Sequence, residues 1–123
     1  MKVVLVLFAL ALPSLRMAGE RIGSLVQQAP RKFSQVRNPY EGDRVAARAG
    51  RKLFERECAA CHGKDAHGSG KVPPLILPHV YRAAPGALFW VLRNGSLKRG
   101  MPSYAHLPEQ QRWQIISYLK SLR

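Results

Sequence analysis

The sequence lacks a hydrophobic run long enough to cross a membrane comfortably. Its longest apolar run covers Val3 to Leu12 and is broken by Pro13; these ten residues extend about 15 Å, against about 30 Å for a bilayer core. A short run after a single lysine is typical of a signal peptide. We predict a signal peptide over residues 1–19, cleaved near Gly19, with an uncleaved anchor or a partly buried helix as alternatives. The expected location is periplasmic or otherwise exported, and membrane-anchored if the leader is retained.

Acidic residues are scarce: seven stand against 20 lysines and arginines, which gives a formal charge of +13. Removal of residues 1–19 leaves 18 basic residues, all seven acids and a charge of +11. The basic residues are spread without a long run, and no nucleic-acid-binding module is recognisable, so a nucleic-acid partner is not predicted. The charge favours a protein partner with an acidic docking surface, or loose association with an anionic membrane surface.

No strand pattern is present, and the apolar residues recur at helical spacing instead. We predict helices from about Asp43 to Glu57, from Pro85 to Arg93 and from Pro108 to about Leu122. Glycines and prolines predict a loop over residues 63–78. The predicted buried face of the first helix contains Val45, Ala46, Ala49, Gly50, Leu53 and Phe54. The chain is therefore predicted to be all-α.

Residues 20–42 form a basic segment without a sustained apolar period, which predicts an extended or wrapping arm. Residues 43–123 form the predicted domain, of roughly 80 residues. Domains of this size often lack enough core to be stable without a staple or a bound group. We therefore expect a bound group near its centre.

Both cysteines lie in the stretch "ECAACHGKD", as Cys58 and Cys61, with His62 directly after the second. A thioredoxin-like dithiol normally follows a strand, which is lacking here. A structural zinc site needs four ligands, whereas the remaining histidines are scattered. A disulfide would be strained at this separation. The fourth interpretation is covalent haem: the two thiols attach to the vinyl groups, and His62 is the proximal iron ligand.

An electron carrier with such a haem needs a sixth iron ligand. After removal of the leader a single methionine is left, Met101, in "KRGMPSY" between two predicted helices. A thioether is a soft ligand that raises the reduction potential, although a core methionine is the commoner role. His79 or His106 as sixth ligand, and a displaceable Met101 in a sensor or peroxidase-like protein, are the alternatives.

The chain resembles the small monohaem class I c-type cytochromes of bacteria. The resemblance covers residues 43–122 and depends on "AGRKLFERECAACHG", "VPPL", "WVLRNG", "RGMPSY" and "LPEQQRWQIISYLKSL". It implies a cytochrome c fold of three main helices and long loops around one covalently bound haem c with its iron. It also implies that Gly50 and Phe54 lie where the first helix crosses the last, against Trp113, Tyr118 or Leu119.

The resemblance further implies roles for residues outside the Cys58–His62 motif. A proline carbonyl, from Pro73 or Pro74, accepts a hydrogen bond from the proximal histidine. The residues implied to pack beside the haem or to pair with its propionates are Pro74, Leu75, Ile76, Trp90, Arg93 and Arg99.

The function implied is one-electron transfer between exported redox proteins, with no catalytic residues of its own. His62 and Met101 would hold the iron, and Cys58 and Cys61 the haem. The protein is expected to be a monomer or a haem subunit that stays docked to a larger dehydrogenase or oxidase. The donor and the acceptor are not predicted.

Overall fold

The computed structural model describes residue 17 and residues 23–123. The helices are α1 (Arg31–Ser34), α2 (Arg44–Glu57), α3 (Ala59–His62), α4 (Pro78–Tyr81), α5 (Pro85–Asn94) and α6 (Glu109–Ser121), with a 3-10 turn at Leu97–Arg99. Residues 23–27 are also helical. In the described part, β pairing is limited to two isolated bridges. The predicted all-α class is confirmed, and the predicted signal peptide lies outside the described residues except for Met17.

Helix α2 begins at a strong cap and has a narrow buried face. The Asp43 carboxylate accepts hydrogen bonds from the N–H groups of Val45 and Ala46, at 2.8 and 3.1 Å. The buried residues are Ala46, Gly50, Leu53 and Phe54, which lie on one side of the helix. The prediction that Val45 belongs to this face is wrong, because Val45 points away from it and is 66% exposed.

Helices α2 and α6 cross at a glycine. A Cβ atom at Gly50 would overlap the Gln114 carbonyl group and lie 3.0 Å from the Ile115 nitrogen. The close approach brings the Phe54 ring to 5.4 Å from the Tyr118 ring. The predicted crossing therefore uses Tyr118 as its aromatic partner.

Helix α5 packs on α6 through stacked aromatic rings. The Phe89 ring lies 4.1 Å from the Trp113 ring, nearly parallel to it, so Trp113 faces α5 rather than the helix crossing. The Arg112 guanidinium also lies 4.5 Å from the Phe89 ring centre, and Arg112 is only 8% exposed. This cation–π contact gives a buried charge an electrostatic partner in the core.

The arm over residues 30–42 is docked on the helices. Asn38 is buried, and its side-chain amide donates to the Ser117 hydroxyl at 2.8 Å and to the Trp113 carbonyl at 3.4 Å. The Ser117 hydroxyl in turn donates to the Tyr40 carbonyl at 3.2 Å. This part of the arm therefore wraps the domain, one of the two conformations predicted for it, and hydrogen bonds of the buried Asn38 fix it to α6.

Helix α1 of the arm reaches α5 as well. A Cβ atom at Gly86 would overlap the Phe33 carbonyl oxygen and lie 2.8 Å from that of Val36. The missing side chain at Gly86 thus lets α1 lie directly on the start of α5. The domain boundary at residue 43 stays a prediction. Within residue 17 and residues 23–123, no helix combines the length and apolar character that a membrane span requires.

Candidate functional site

The two cysteines lie one helical turn apart at the end of α2. Cys58 caps α2, and its backbone N–H donates to the Phe54 carbonyl at 2.8 Å. The N–H groups of Cys61 and His62 then donate to the Cys58 carbonyl, at 3.2 and 2.9 Å. Cys58 is buried, Cys61 is exposed, and the thiols are not joined in a disulfide. A single turn therefore presents two separate thiols and one imidazole.

Burial fixes the protonation state of Cys58. Removal from water, with the charges of Glu57 and Cys61 acting in the same direction, raises the pKa of Cys58 to about 12. A redox dithiol needs a thiolate, which forms when the thiol pKa is lowered. The surroundings of Cys58 keep its thiol protonated at neutral pH and so argue against the dithiol interpretation.

The imidazole of His62 has one nitrogen held by a carbonyl group. Its Nδ1 lies 3.3 Å from the Pro73 carbonyl oxygen, and Nδ1 carries the proton because a carbonyl only accepts. Partial burial lowers the pKa of His62, and the Pro73 contact partly opposes that shift. The neutral ring leaves the Nε2 lone pair for a metal ion. Of the two candidate prolines, Pro73 makes this contact, and Pro74 is half-buried.

Residues 63–75, which we call the histidine loop, are closed by their own backbone. The Gly68 N–H donates to the His62 carbonyl at 2.8 Å, and the Leu75 N–H donates to the Ala66 carbonyl at 2.7 Å. Ala66 is fully buried and has a φ of 60°, a left-handed conformation that is uncommon for alanine. The loop is thus folded tightly around its buried centre and brings the Pro73 carbonyl to His62.

Residues 95–107, which we call the methionine loop, present Met101. Ser96 and Met101 exchange two backbone hydrogen bonds, at 2.9 and 3.0 Å, across a single 3-10 turn. Gly95 has a φ of +63°, and a Cβ atom there would lie 2.5 Å from the Pro102 carbonyl oxygen. Met101 is half-buried and packs against the core. The loop therefore depends on a glycine at its start and a paired backbone at Met101.

Tyr104 connects the methionine loop with the cysteine turn. Its N–H donates to the Leu92 carbonyl of α5 at 2.8 Å, and its hydroxyl donates to the Glu57 carbonyl at 3.1 Å. Burial raises the pKa of the Tyr104 hydroxyl, and nearby Cys58 and Cys61 add to the shift. Tyr104 was not among the predicted site residues, because nothing in the order of the residues indicates a contact across 47 positions.

The other residues implied by the resemblance lie around these loops. Leu75 and Ile76 are half-buried and pack against the core. Trp90 is half-buried on α5, and its carbonyl accepts a hydrogen bond from the Asn94 amide at 2.8 Å. Arg93 and Arg99 are exposed. Their predicted roles beside a haem stay predictions.

The histidines considered as alternative ligands are exposed. His79 lies on α4, and the His106 ring lies 6.0 Å from the Tyr104 ring. In residue 17 and residues 23–123, no three His, Cys, Asp or Glu side chains are grouped as ligands for a metal ion. The four-ligand zinc interpretation therefore finds no ligand set in that part of the chain.

Comparison with known proteins identifies two matches. The family model described as "Cytochrome C oxidase, cbb3-type, subunit III" matches residues 45–119. Cytochrome c550 of Pseudomonas aeruginosa is 33% identical over 98 residues, which cover 75% of this chain and 66% of that protein. The chain thus spans just under two thirds of the relative's length. No solved structure matches. Both matches confirm the resemblance predicted from the sequence.

Proposed function

The chain belongs to the family of c-type cytochromes, and from this premise we propose that Cys58 and Cys61 bind its haem and that His62 and Met101 hold the iron. Membership means that the protein carries a covalently bound haem c and acts in electron transfer. The haem supplies one-electron exchange between ferric and ferrous iron. The residues of the chain attach it, orient its ligands and limit the access of water.

The donor set fits a haem c. The separate thiols of Cys58 and Cys61 stand one helical turn apart, which suits attachment to two vinyl groups of one macrocycle. An imidazole follows immediately in His62. The thioether of Met101 adds a soft, neutral ligand on a separate loop. Together these are the donors of a haem with histidine and methionine ligands.

The observation that carries the proposal is the contact between His62 and Pro73. With Nδ1 donating to the Pro73 carbonyl at 3.3 Å, His62 has a defined tautomer and ring orientation. Such a partner also raises the basicity of a ligating imidazole. The closed histidine loop thereby prepares the Nε2 atom of His62 for the iron.

The second ligand in the proposal is presented by the methionine loop. Met101 is half-buried, with its backbone paired to Ser96 on both sides. Tyr104 ties the same loop to the carbonyl of Glu57, one residue before Cys58. The loop that carries the thioether is therefore connected directly to the turn that carries the thiols. Met101 is favoured over His79 and His106 as the sixth ligand because both histidines are exposed, whereas Met101 packs against the core.

The partners in the proposal are redox proteins with acidic docking surfaces in an exported compartment. The chain has 20 basic residues against seven acidic ones, which favours steering toward a negatively charged surface. Steering of this kind weakens as salt screens the charges. A rate of electron exchange with an acidic partner that did not change between low and physiological ionic strength would contradict this part of the proposal.

The test of the proposal is the optical spectrum of protein produced with export and haem-attachment machinery. Haem that stays with the polypeptide after denaturation and acid-acetone extraction, and a weak far-red sulfur-to-iron band in the oxidised protein, are the expected results. Met101→Ala should abolish the band, whereas His79→Ala and His106→Ala should retain it. Double replacement of Cys58 and Cys61 by alanine should release the haem. A band that persisted in Met101→Ala would contradict methionine ligation.

A second candidate is a haem subunit that remains docked to a larger oxidase or dehydrogenase. It is favoured by the matched family model, whose description names an oxidase subunit. The iron ligands would be the same in both cases. Gel filtration of a detergent extract of whole cells separates the two candidates, because a subunit elutes with a large complex and a free carrier elutes as a small protein.

A further inference from the structure

Tyr104 makes two hydrogen bonds that join three separate segments of the chain. Its N–H is bound to the Leu92 carbonyl, on α5, and its hydroxyl is bound to the Glu57 carbonyl, in the last turn of α2. The last carbonyls of a helix have no partner within the helix and need one from outside. Tyr104 supplies that partner directly before Cys58, where the chain leaves α2 for the haem-binding turn.

The backbone between Met101 and Tyr104 is short and has little conformational freedom. Only Pro102 and Ser103 lie between them, and the ring of Pro102 fixes its own φ. The Ser103 hydroxyl donates to the Arg93 carbonyl at 2.6 Å, and the Met101 backbone is paired with Ser96. A displacement at Tyr104 is therefore passed to Met101 over a short and restrained stretch of chain.

The methionine side chain itself is flexible, with three rotatable bonds. The position of its sulfur thus depends on where the loop holds its Cα. The position of the cysteine turn, in turn, depends on the end of α2, which Cys58 caps. The hydrogen bond from Tyr104 to Glu57 is a direct tie between these two parts of the site, at 3.1 Å.

We propose that Tyr104 is a positioning residue, whose hydroxyl latches the methionine loop to the end of α2 and so keeps the Met101 thioether at the iron. This inference depends on the proposed ligation by Met101. The ring of Tyr104 is half-buried and packs against the core, so replacement by phenylalanine removes the latch and retains the packing.

The experiment measures the binding of imidazole to the oxidised holoprotein, since imidazole competes with the thioether for the iron. A neutral hydrogen bond changes an equilibrium constant by a factor of roughly 2 to 10. Tyr104→Phe should therefore bind imidazole about 2- to 10-fold more tightly than the wild type. On heating, the far-red sulfur-to-iron band of Tyr104→Phe should weaken at a lower temperature than that of the wild type. Tyr81→Phe, which removes a hydroxyl from α4, is the matched control and should behave as the wild type.

A second measurement separates positioning from a general structural role. In the Met101→Ala background, Tyr104→Phe should leave the imidazole affinity unchanged, because the thioether through which the latch acts has been removed. An equal effect of Tyr104→Phe in both backgrounds would overturn the proposal, and so would no effect in either. If the wild type lacks the sulfur-to-iron band, Met101 ligation itself fails. A normal band with no effect of Tyr104→Phe refutes the latch alone.

Discussion

The histidine loop and the methionine loop carry the backbone around the two proposed iron ligands and are held in different ways. The histidine loop is closed by hydrogen bonds between its own residues and His62. Its backbone bonds run from Gly68 to His62, from Leu75 to Ala66, and in both directions between Ser69 and Val72. Most of its order is therefore local.

The methionine loop is held by its neighbours as well as by its own backbone. Its internal bonds are the Ser96–Met101 pair and those from Arg99 to Ser96, from Gly100 to Leu97 and from Leu107 to Tyr104. Unlike the histidine loop, it also has ties to distant helices: Gly95 to Val91, Ser103 to Arg93, Tyr104 to Leu92 and Tyr104 to Glu57. The position of the loop therefore depends on α5 and on the end of α2.

This difference suits the two proposed ligands. His62 follows two attached cysteines and needs mainly the correct ring orientation, which a local loop can give. Met101 lies 40 residues from Cys61 and needs to be brought to the site by contacts with the rest of the fold. We therefore expect changes in the histidine loop to act locally, whereas changes in the methionine loop or its supports alter the sixth ligand.

The largest effect is expected at the crossing of α2 and α6, which we regard as the common support of both loops. Gly50→Ala places a methyl group on the Gln114 carbonyl and forces α2 and α6 apart. Helix propensity alone favours alanine by about 1 kcal/mol. The overlap should nevertheless lower the free energy of unfolding by about 3 kcal/mol or more. Denaturant unfolding and the yield of holoprotein measure the effect.

Arg48→Ala, on an exposed part of the same helix, is the control for Gly50→Ala and should change stability little. A gain in stability for Gly50→Ala would mean that propensity outweighs the helix crossing. Such a gain would also remove the reason for treating the crossing as the support of both loops.

Gly95→Ala is expected to break the methionine loop selectively. Gly95 has a φ of 63° and a ψ of −163°, a conformation that is almost confined to glycine, and its Cβ would meet Pro102. A loss of about 3 kcal/mol in unfolding free energy is expected from strain and overlap together. The sulfur-to-iron band should be lost, while the haem stays attached.

The matched control for Gly95→Ala is Gly100→Ala in the same loop. Gly100 has a φ of +76°, and no atom lies within 4 Å of the place that a Cβ atom would take, so strain acts there without overlap. We expect a cost of about 1 kcal/mol and an intact band. Equal effects of the two variants on the band would indicate that the backbone flexibility of the loop, and not the close approach of Gly95 to Pro102, determines the position of Met101.

Gly68→Ala tests the opposite loop. Its Cβ would lie 2.5 Å from the Val72 carbonyl oxygen and 2.8 Å from the Pro73 carbon, at a φ of +79°. A destabilisation of about 2 kcal/mol is expected. Displacement of Pro73 weakens its bond to His62, makes the imidazole less basic and so should raise the reduction potential. The sulfur-to-iron band should remain, because the loop is self-contained.

Gly70→Ala, at a φ of +58° with open space around it, is the control for this second loop. It should cost less stability than Gly68→Ala and leave the reduction potential unchanged. Loss of the band in Gly68→Ala would show that the two loops are coupled and would contradict the comparison between them.

The local features of this fold were predictable from the sequence, since they depend on neighbouring residues. Asp43 predicted the start of α2, and Asn94 with Gly95 predicted the end of α5; the observed bounds of the long helices agree within one residue. The cysteines and His62 were recognisable because their chemistry lies in five consecutive positions. The Pro73 contact came from the resemblance, which offered Pro74 equally.

The long-range features were not predictable, because no sequence period indicates them. The latch of Tyr104 to Glu57 and the burial of Asn38 under α6 join residues far apart in the chain. Arg112 is the clearest case. A charged residue on a helix is usually exposed, yet Arg112 is buried against Phe89, and its Nε and Nη1 atoms have no hydrogen-bond partner among the described residues. Only the packing of α5 on α6 determines such a position.

The smallest expected effect comes from one outward tie of the methionine loop. The Ser103 hydroxyl donates to the Arg93 carbonyl at 2.6 Å and accepts from the Ala105 N–H at 3.2 Å. Ser103→Ala should therefore cost about 1 kcal/mol of unfolding free energy. It should also lower the temperature at which the sulfur-to-iron band disappears. Ser69→Ala is the matched control, because Ser69 is exposed and ties the histidine loop through its backbone. If both variants lowered the temperature at which the band disappears by the same amount, the outward ties would not be what distinguishes the two loops.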